Sequence, residues 1–311
     1  MSDPAPGPRV LALVPTWKAA AFIGRTLDAL AAQDCPGLGI LISDDASPDD
    51  TAARCERFAA GDVRFRVIRQ ERNRGWVGNV NALLAEAHGT GAEYLLFAFQ
   101  DDLPEPGYVT RCAAALDADP GAVMAYSDIV LVHQDGRREE KRYTSLDGVA
   151  DRLERGRRIA RQEGSWWIPN RGVFRASAAR SIGGLRRHAA GEFSADWPWL
   201  LEMSLLGSFA RVPEPLVTKF YLPDSLSRGW DFGARSWAAV TASAMGALSR
   251  QDLSARERIV LSGELARFAL GRFRRSARRS VSRALARRHG TRDSAGRKPP
   301  EPGSTGRAET E

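Results

Sequence analysis

The sequence predicts an α/β fold with a mostly parallel, doubly wound central sheet, and three observations carry that reading. Short apolar runs rich in β-branched and aromatic residues alternate with amphipathic helical stretches through the first half of the chain. The connections between them are short, as strand–helix–strand crossovers require. Two of the apolar runs end in paired acids, Asp44-Asp45 and Asp101-Asp102, at the carboxyl ends of strands, where ligands bind in such sheets.

Val10 to Val14 reads as the first strand and ends in Pro15-Thr16-Trp17. A helix from about Ala21 to Gln33 follows, with Phe22, Ile23, Leu27 and Leu30 at helical spacing. Gly39 to Ile42 is a strand, and Ser47-Pro48-Asp49-Asp50 has the acids and early Pro of a helix start. Val63 to Ile68 alternates as a strand, Gly75 to Ala87 has a helical pattern, and Tyr94 to Phe99 is a buried strand. A helix over about Pro106 to Leu116 and strands at Ala122 to Tyr126 and Ile129 to Val132 continue the series. The charged, weakly periodic span from Arg137 to Arg161 is expected to be an exposed excursion. A short helix is expected over Asp196 to Leu206, and a helical segment from Trp237 to about Arg288. The Gly-, Pro- and Ser-rich tail from Gly290 is expected to be disordered.

Composition narrows the function classes. A hydrophobic share of 43% across 311 residues supports a sizeable core. Cys35, Cys55 and Cys112 are scattered, with no CxxC and no clustered histidines, which argues against a disulfide framework or a zinc site and favours a reducing compartment. Met1 to Arg9 carries Pro and Gly where a signal peptide needs an apolar core, and no apolar stretch reaches membrane-spanning length, so a cytoplasmic and at most peripheral protein is expected. The net charge of +7 is concentrated late, in Arg267, Arg272, Arg274, Arg275, Arg278, Arg279, Arg283, Arg287 and Arg288. With Leu265, Ala269, Phe273, Ala277 and Val281 at helical spacing, that segment suits a basic amphipathic helix on an anionic lipid surface, or equally a helix packed on the domain. Nucleic acid is not expected as a partner, because the strand ends are acidic and no RNA-binding motif is present.

Adjacent carboxylates at the end of a buried strand repel each other and lose hydration. A hard divalent ion shared with a substrate diphosphate relieves both costs, which makes Asp101-Asp102 the leading candidate for a magnesium or manganese site.

Taken in order, Val14-Pro15-Thr16-Trp17, Ile42-Ser43-Asp44-Asp45-Ala46-Ser47, Asn73-Arg74-Gly75, Gln100-Asp101-Asp102 and Asp196 resemble the motifs of family-2 glycosyltransferases with the GT-A fold. The resemblance covers roughly Arg9 to Arg228. The stretch Asn73 to Asn79 with Gln100-Asp101-Asp102 is similar to the rhamnosyltransferase-like subgroup. It implies a Rossmann-like sheet flanked by helices over residues 1–230; beyond it, periodicity and charge give a C-terminal helical, basic extension over 231–289 and composition a tail from 290. It implies an inverting, metal-dependent transfer from a nucleotide-sugar donor to a saccharide or lipid-linked acceptor. Under that resemblance Pro15, Thr16, Asp45, Asn73 and Gly75 line the donor pocket, Asp101 lies near the ribose and Asp102 holds the metal. Asp196 is the base, Trp166 and Trp167 border the acceptor, and Arg228 contacts the diphosphate. Ala195, Val80 and Leu222 depart from the common pattern; Leu222 stands where many relatives carry a second metal-approaching side chain. A catalytically idle sugar-nucleotide binder, a basic nucleic-acid- or anionic-lipid-binding protein, and a hydrolase with paired carboxylates are the competing readings.

Overall fold

The structure, a computed structural model, describes residues 7–221 and 226–294; for residues 226–227 and 276–294 it describes the backbone alone. Its first half follows the expected alternation. Strand β1 (Val10–Thr16) leads through helix α1 (Ile23–Ala31) to β2 (Leu38–Asp44), then through α2 (Thr51–Gly61) to β3 (Phe65–Arg69). Helix α3 (Gly75–Ala87) returns the chain to β4 (Tyr94–Phe97). β1, β2, β3 and β4 are all parallel, with β1 between β2 and β4, and both β1 and β2 are buried along their whole length. Burial on both faces explains why these strands read as unbroken apolar runs instead of alternating ones.

Beyond β4 the sheet becomes mixed. Its order is β3-β2-β1-β4-β8-β6-β9-β5, where β5 is Asp102–Pro104, β6 Ala122–Val132, β8 Val173–Arg175 and β9 Ser208–Phe220. β8 runs antiparallel to both β4 and β6, and a further strand, β7 (Arg138–Lys141), pairs antiparallel with the end of β6. The two strands expected over 122–132 are one: β6 continues through Ser127 and Asp128, with register shifts against β9 at that point. The bulge keeps Asp128 buried beside Arg211, whose Nε and Nη2 lie 2.8 and 2.6 Å from its carboxylate oxygens. Helix α4 (Tyr108–Ala118) joins β5 to β6.

The span expected to be an exposed excursion is instead ordered and partly interior. It contains β7 and helix α5 (Arg152–Ala160), whose start is capped by Asp151 accepting from Glu154 N at 2.7 Å. Arg155 faces inward and is buried. Its Nε donates to Ser204 O at 2.9 Å, and its Nη1 to Ala150 O at 2.6 Å and Val149 O at 3.2 Å. A guanidinium that satisfies three carbonyls can occupy a core position that apolar periodicity never marks. Gly156 explains the close approach here: a Cβ on it would lie 2.9 Å from Leu205 Cδ2 and 3.0 Å from Leu261 Cδ2.

After the short helix α6 (Ala176–Ile182), helix α7 (Asp196–Leu206) is buried almost all round, including Trp197, Trp199, Leu200, Leu201 and Met203. The C-terminal helical segment forms two helices, α8 (Ala234–Arg250) and α9 (Ala255–Ser294). The break is encoded by a capping box: Ser254 N donates to Glu257 at 2.9 Å and Glu257 N to Ser254 Oγ at 3.3 Å. Leu261 and Leu265 of α9 are fully buried in the common core. Two interior carboxylates fasten these helices: Glu202 on α7 pairs with Arg250, and Glu264 on α9 with Arg157 and Arg161 of the α5 region. The tail expected from Gly290 begins inside α9, and residues 295–311 lie outside the described residues.

Replacing Arg155 with Met strips hydrogen bonds from three carbonyls, that of Ser204 buried and those of Val149 and Ala150 partly so. The expected cost is about 3 kcal/mol of unfolding free energy, measured as a lowered midpoint in urea denaturation with unchanged slope.

Candidate active site

The parallel strands end on one edge, and the candidate residues gather there. At the end of β1, Thr16 is buried and lies opposite Asp44 in the β1–β2 register. Asp45 N donates to Thr16 O at 2.9 Å, so the turn after β2 folds back across the end of β1. Asp44 turns inward and accepts from Ser47 N at 3.0 Å. Asp45 accepts from Arg74 N at 2.7 Å, and Asn73 Nδ2 donates to Asp45 O at 3.2 Å. Burial raises the Asp45 carboxyl above its ordinary value, against the Arg74 and Gly75 N–H groups that favour its charge. Asn73 Oδ1 accepts from Gly75 N at 3.0 Å, and Gly75 adopts φ +71, a conformation glycine takes without strain. Asp45, Asn73 and Gly75 thus form one interlocked turn at the mouth of β2.

At the end of β4, Gln100 braces the neighbouring strand, its Oε1 accepting from Trp17 N at 2.9 Å and its Nε2 donating to Trp17 O at 3.3 Å. Asp101 and Asp102 follow at once. Asp102 opens β5 and faces Lys219 directly in the β5–β9 register. Lys219 Nζ lies 3.0 Å from Asp101 Oδ2 and 3.6 Å from Asp102 Oδ1. Arg171 Nε lies 2.6 Å from Asp102 Oδ2. Burial raises the Asp102 carboxyl, opposed by Arg171 and Lys219. Although both cations sit close, neither oxygen of this buried carboxylate has an aligned hydrogen-bond donor among the described residues.

Asp196 opens α7 on the other side of Arg171. Its Oδ2 accepts from Asn170 Nδ2 at 3.2 Å, and its Oδ1 is sealed from solvent with no donor among the described residues. Burial lifts its carboxyl to about 6, with its own and the Trp197 N–H and the Arg171 charge pulling the other way. A carboxylate tuned to that range is suited to take a proton near neutral pH.

A single 3-10 turn, Ile168–Arg171, serves both acids: Asn170 meets Asp196, and Arg171 meets Asp102. Arg171 is held over the Trp167 and Phe99 rings at 5.0 and 5.4 Å, and its carbonyl accepts from Tyr108 Oη. Sequence reading missed Asn170, Arg171 and Lys219. Arg171 lay two residues beyond Pro169, which opens the turn, and Lys219 is marked only by its cross-strand register. Trp167 is therefore the stacking base for Arg171, while Trp166 packs its ring 6.5 Å from Trp197. Both remain partly exposed. Arg228 is exposed on a 3-10 turn, Leu226–Gly229. Leu222 lies outside the described residues.

A divalent ion requires ligands. Among the described residues no group of three His, Cys, Asp or Glu side chains is placed to hold one. The orphaned oxygens of Asp102, with Asp101 adjacent, fit an ion that takes one or two carboxylate ligands and completes its shell with diphosphate and water.

Comparison with known proteins agrees with this architecture. Residues 12–181 match the profile described as Glycosyl transferase family 2. Over 130 residues the chain is 32% identical to the succinoglycan biosynthesis protein ExoO of Rhizobium meliloti, covering 42% of this chain and 36% of that protein. Over 120 residues it is 28% identical to a PGL/p-HBAD biosynthesis glycosyltransferase of Mycobacterium bovis, covering 38% of this chain and 46% of that one. The chain spans less than half the length of each of these two relatives. In fold it is similar to S. aureus TarS in complex with UDP-GlcNAc, at TM-score 0.66 and 18% identity over 85% of this chain and 72% of that one. It is also similar to the Pyrobaculum calidifontis mannosyltransferase PcManGT in complex with GDP-Man and Mn2+, at TM-score 0.58 and 19% identity over 91% and 78%. With more than half its length matched and the acidic strand ends in their expected places, the chain belongs to glycosyltransferase family 2 and has the GT-A fold.

Proposed function

We propose that this chain is an inverting, metal-dependent glycosyltransferase that moves a hexosyl or deoxyhexosyl group from a nucleoside-diphosphate sugar to a hydroxyl acceptor in cell-surface polysaccharide or glycolipid assembly. The observation that carries the reading is the pairing of two buried acids, Asp102 beside the cations Arg171 and Lys219 and Asp196 beside the Asn170 amide, bridged by the Asn170–Arg171 turn. Separate environments for two carboxylates are how one site hosts two roles.

Pro15, Thr16, Asp45, Asn73 and Gly75 shape the nucleoside pocket, with Asp101 toward the ribose. Asp45 contributes by holding the Asn73–Gly75 turn in place. Asp102 is the protein ligand for Mn2+ or Mg2+, which when bound supplies positive charge to the diphosphate. Lys219 adds a cation beside that diphosphate, and Arg228 a further one from the exposed turn. Asp196 accepts the acceptor's hydroxyl proton as the hydroxyl oxygen bonds to the anomeric carbon. The bond from that carbon to the diphosphate breaks on the opposite face, its electron pair leaving with the diphosphate. Trp166 and the Trp167–Arg171 stack border the acceptor. The saccharide-assembly role rests on similarity to the ExoO and PGL/p-HBAD proteins, and the donor class on the UDP-GlcNAc and GDP-Man complexes of the structural neighbours.

A membrane-facing role for the C-terminal helix is the second part of this proposal. Among the described side chains, Leu270 and Phe273 of α9 are exposed hydrophobics beside exposed Arg267, Arg274 and Arg275. That combination suits an anionic bilayer surface near a lipid-linked acceptor. No helix among the described residues is long and apolar enough to cross a membrane.

With UDP, GDP or dTDP sugars, Mn2+ is expected to raise the melting temperature for one donor class, and Asp102→Asn to abolish the metal-dependent part. An identical response in wild type and variant would refute the metal role. Asp196→Asn is expected to lower kcat by roughly 10²- to 10⁴-fold while leaving nucleotide affinity near wild type. As the deprotonated form is the active one, kcat should fall as pH drops through about 6; a flat profile there would exclude Asp196 as the base. Co-sedimentation with phosphatidylglycerol vesicles, absent with phosphatidylcholine and weakened in Phe273→Glu, tests the helix; equal binding to both lipids would contradict it.

A further inference from the structure

Helix α3 starts beside the nucleoside turn, and its first amide groups are claimed by a side chain from a distant loop. Glu192 Oε2 accepts from Trp76 N at 2.9 Å, and its Oε1 from Val77 N at 3.1 Å. Free N–H groups and the positive end of the helix dipole make this a favourable seat for a carboxylate. Arg187 completes the arrangement: its Nε and Nη2 lie 3.0 and 2.8 Å from Glu192 Oε1, and its Nη2 also donates to Arg74 O. Gly75 leaves the room, since a Cβ there would lie 2.6 Å from Glu192 Oε1. The helix start is thereby tied to the loop spanning residues 187–195.

That same loop delivers Asp196. Between Glu192 and Asp196 the backbone is tight: Ala195 N donates to Glu192 O at 3.2 Å, and Trp197 N to Ser194 O at 3.1 Å. Ser194 is held at φ +51, which a non-glycine residue adopts only when its surroundings demand it. His188 and Phe193 stiffen the remainder. His188 Nε2 bonds Phe193 O at 2.7 Å, and the Phe193 ring packs 4.9 Å from Trp237. A displacement at Glu192 therefore has little slack in which to dissipate before it reaches Asp196.

We infer that Glu192 is a positioning residue that clamps the base-bearing loop to the nucleotide turn, so that occupancy of the Asp45–Asn73–Gly75 turn orders Asp196 for transfer. This rests on the donor-site and base assignments of the proposed function. Asp45 bonds Arg74 N, Asn73 bonds Gly75 N and Glu192 bonds the next two amides, so consecutive peptide groups from Arg74 to Val77 answer to three acceptors. A nucleotide that rigidifies the turn also rigidifies the seat of Glu192, a coupling that needs no large movement.

Hydrogen–deuterium exchange on the full chain tests this with UDP, GDP and dTDP, each with Mn2+ present. In wild type, the nucleotide that binds is expected to slow exchange in residues 73–77 and also in residues 192–197. In Glu192→Ala, protection at 73–77 should persist while that at 192–197 is lost, and kcat should fall roughly 10- to 100-fold with a smaller change in nucleotide Kd. Glu192→Gln keeps an acceptor for one amide and should recover part of both effects, which separates a clamp from a misfolded variant. Protection confined to 73–77 in wild type overturns the clamp and leaves the donor site standing. Absence of protection at 73–77 with all three nucleotides overturns the donor-site reading and the clamp with it. Unchanged protection at 192–197 in Glu192→Ala also overturns the clamp.

Discussion

Carboxylates gathered where parallel strands end must find compensation before the fold can close around them, and in this protein Arg171 provides it. The guanidinium touches Asp102, its charge reaches Asp196, and it is pinned between the Trp167 and Phe99 rings. Without it the desolvation of Asp102 would be met only by Lys219, and a poorly paired buried carboxylate is costly. Lys219 adds a second cation from across the sheet. The charges are close to Asp102 yet, among the described residues, its oxygens have no aligned donors. The site is thus electrostatically supported from two elements, the Ile168–Arg171 turn and β9.

The same economy of charge organises the far side of the molecule. Glu202 and Glu264 are interior acids, each met by arginines from a different element, and they dock α8 and α9 against α7 and α5. Such pairs contribute little net stability over an apolar alternative, yet breaking one leaves a buried charge. They therefore specify how the helices seat more than how tightly. The apolar weight is carried by Leu261, Leu265 and the aromatic contacts of Trp197 and Trp237 with Phe268. These fix α7 from behind and so hold the position of Asp196 at its first residue.

Several features were legible from residues alone. β1, β2 and β4 were visible because strands buried on both faces read as continuous apolar runs, and α3 and α7 begin and end where pattern and glycine placed them. Asp102 and Asp196 stood out because acids at element ends carry their own signal. α5 was misjudged because its inward face uses Arg155 and Gly156, neither of which registers as hydrophobic. The break before α9 was overlooked, although Ser254 and Glu257 spell a capping box.

What the sequence determined by itself was local: the alternation of strands and helices, the ends of the parallel strands, and the acids placed there. Periodicity and end-capping act over a few residues, so a linear reading reaches them. What only the tertiary structure decided was which charges meet those acids. Lys219 reaches Asp101 and Asp102 through an antiparallel register, Asn170 and Arg171 reach two separate acids from one turn, and Glu192 reaches the start of α3 from the loop that bears Asp196. Those partners are far apart in the chain, and an isolated Arg, Lys or Glu reads as a solvated surface residue until folding removes its water and supplies its counter-charge.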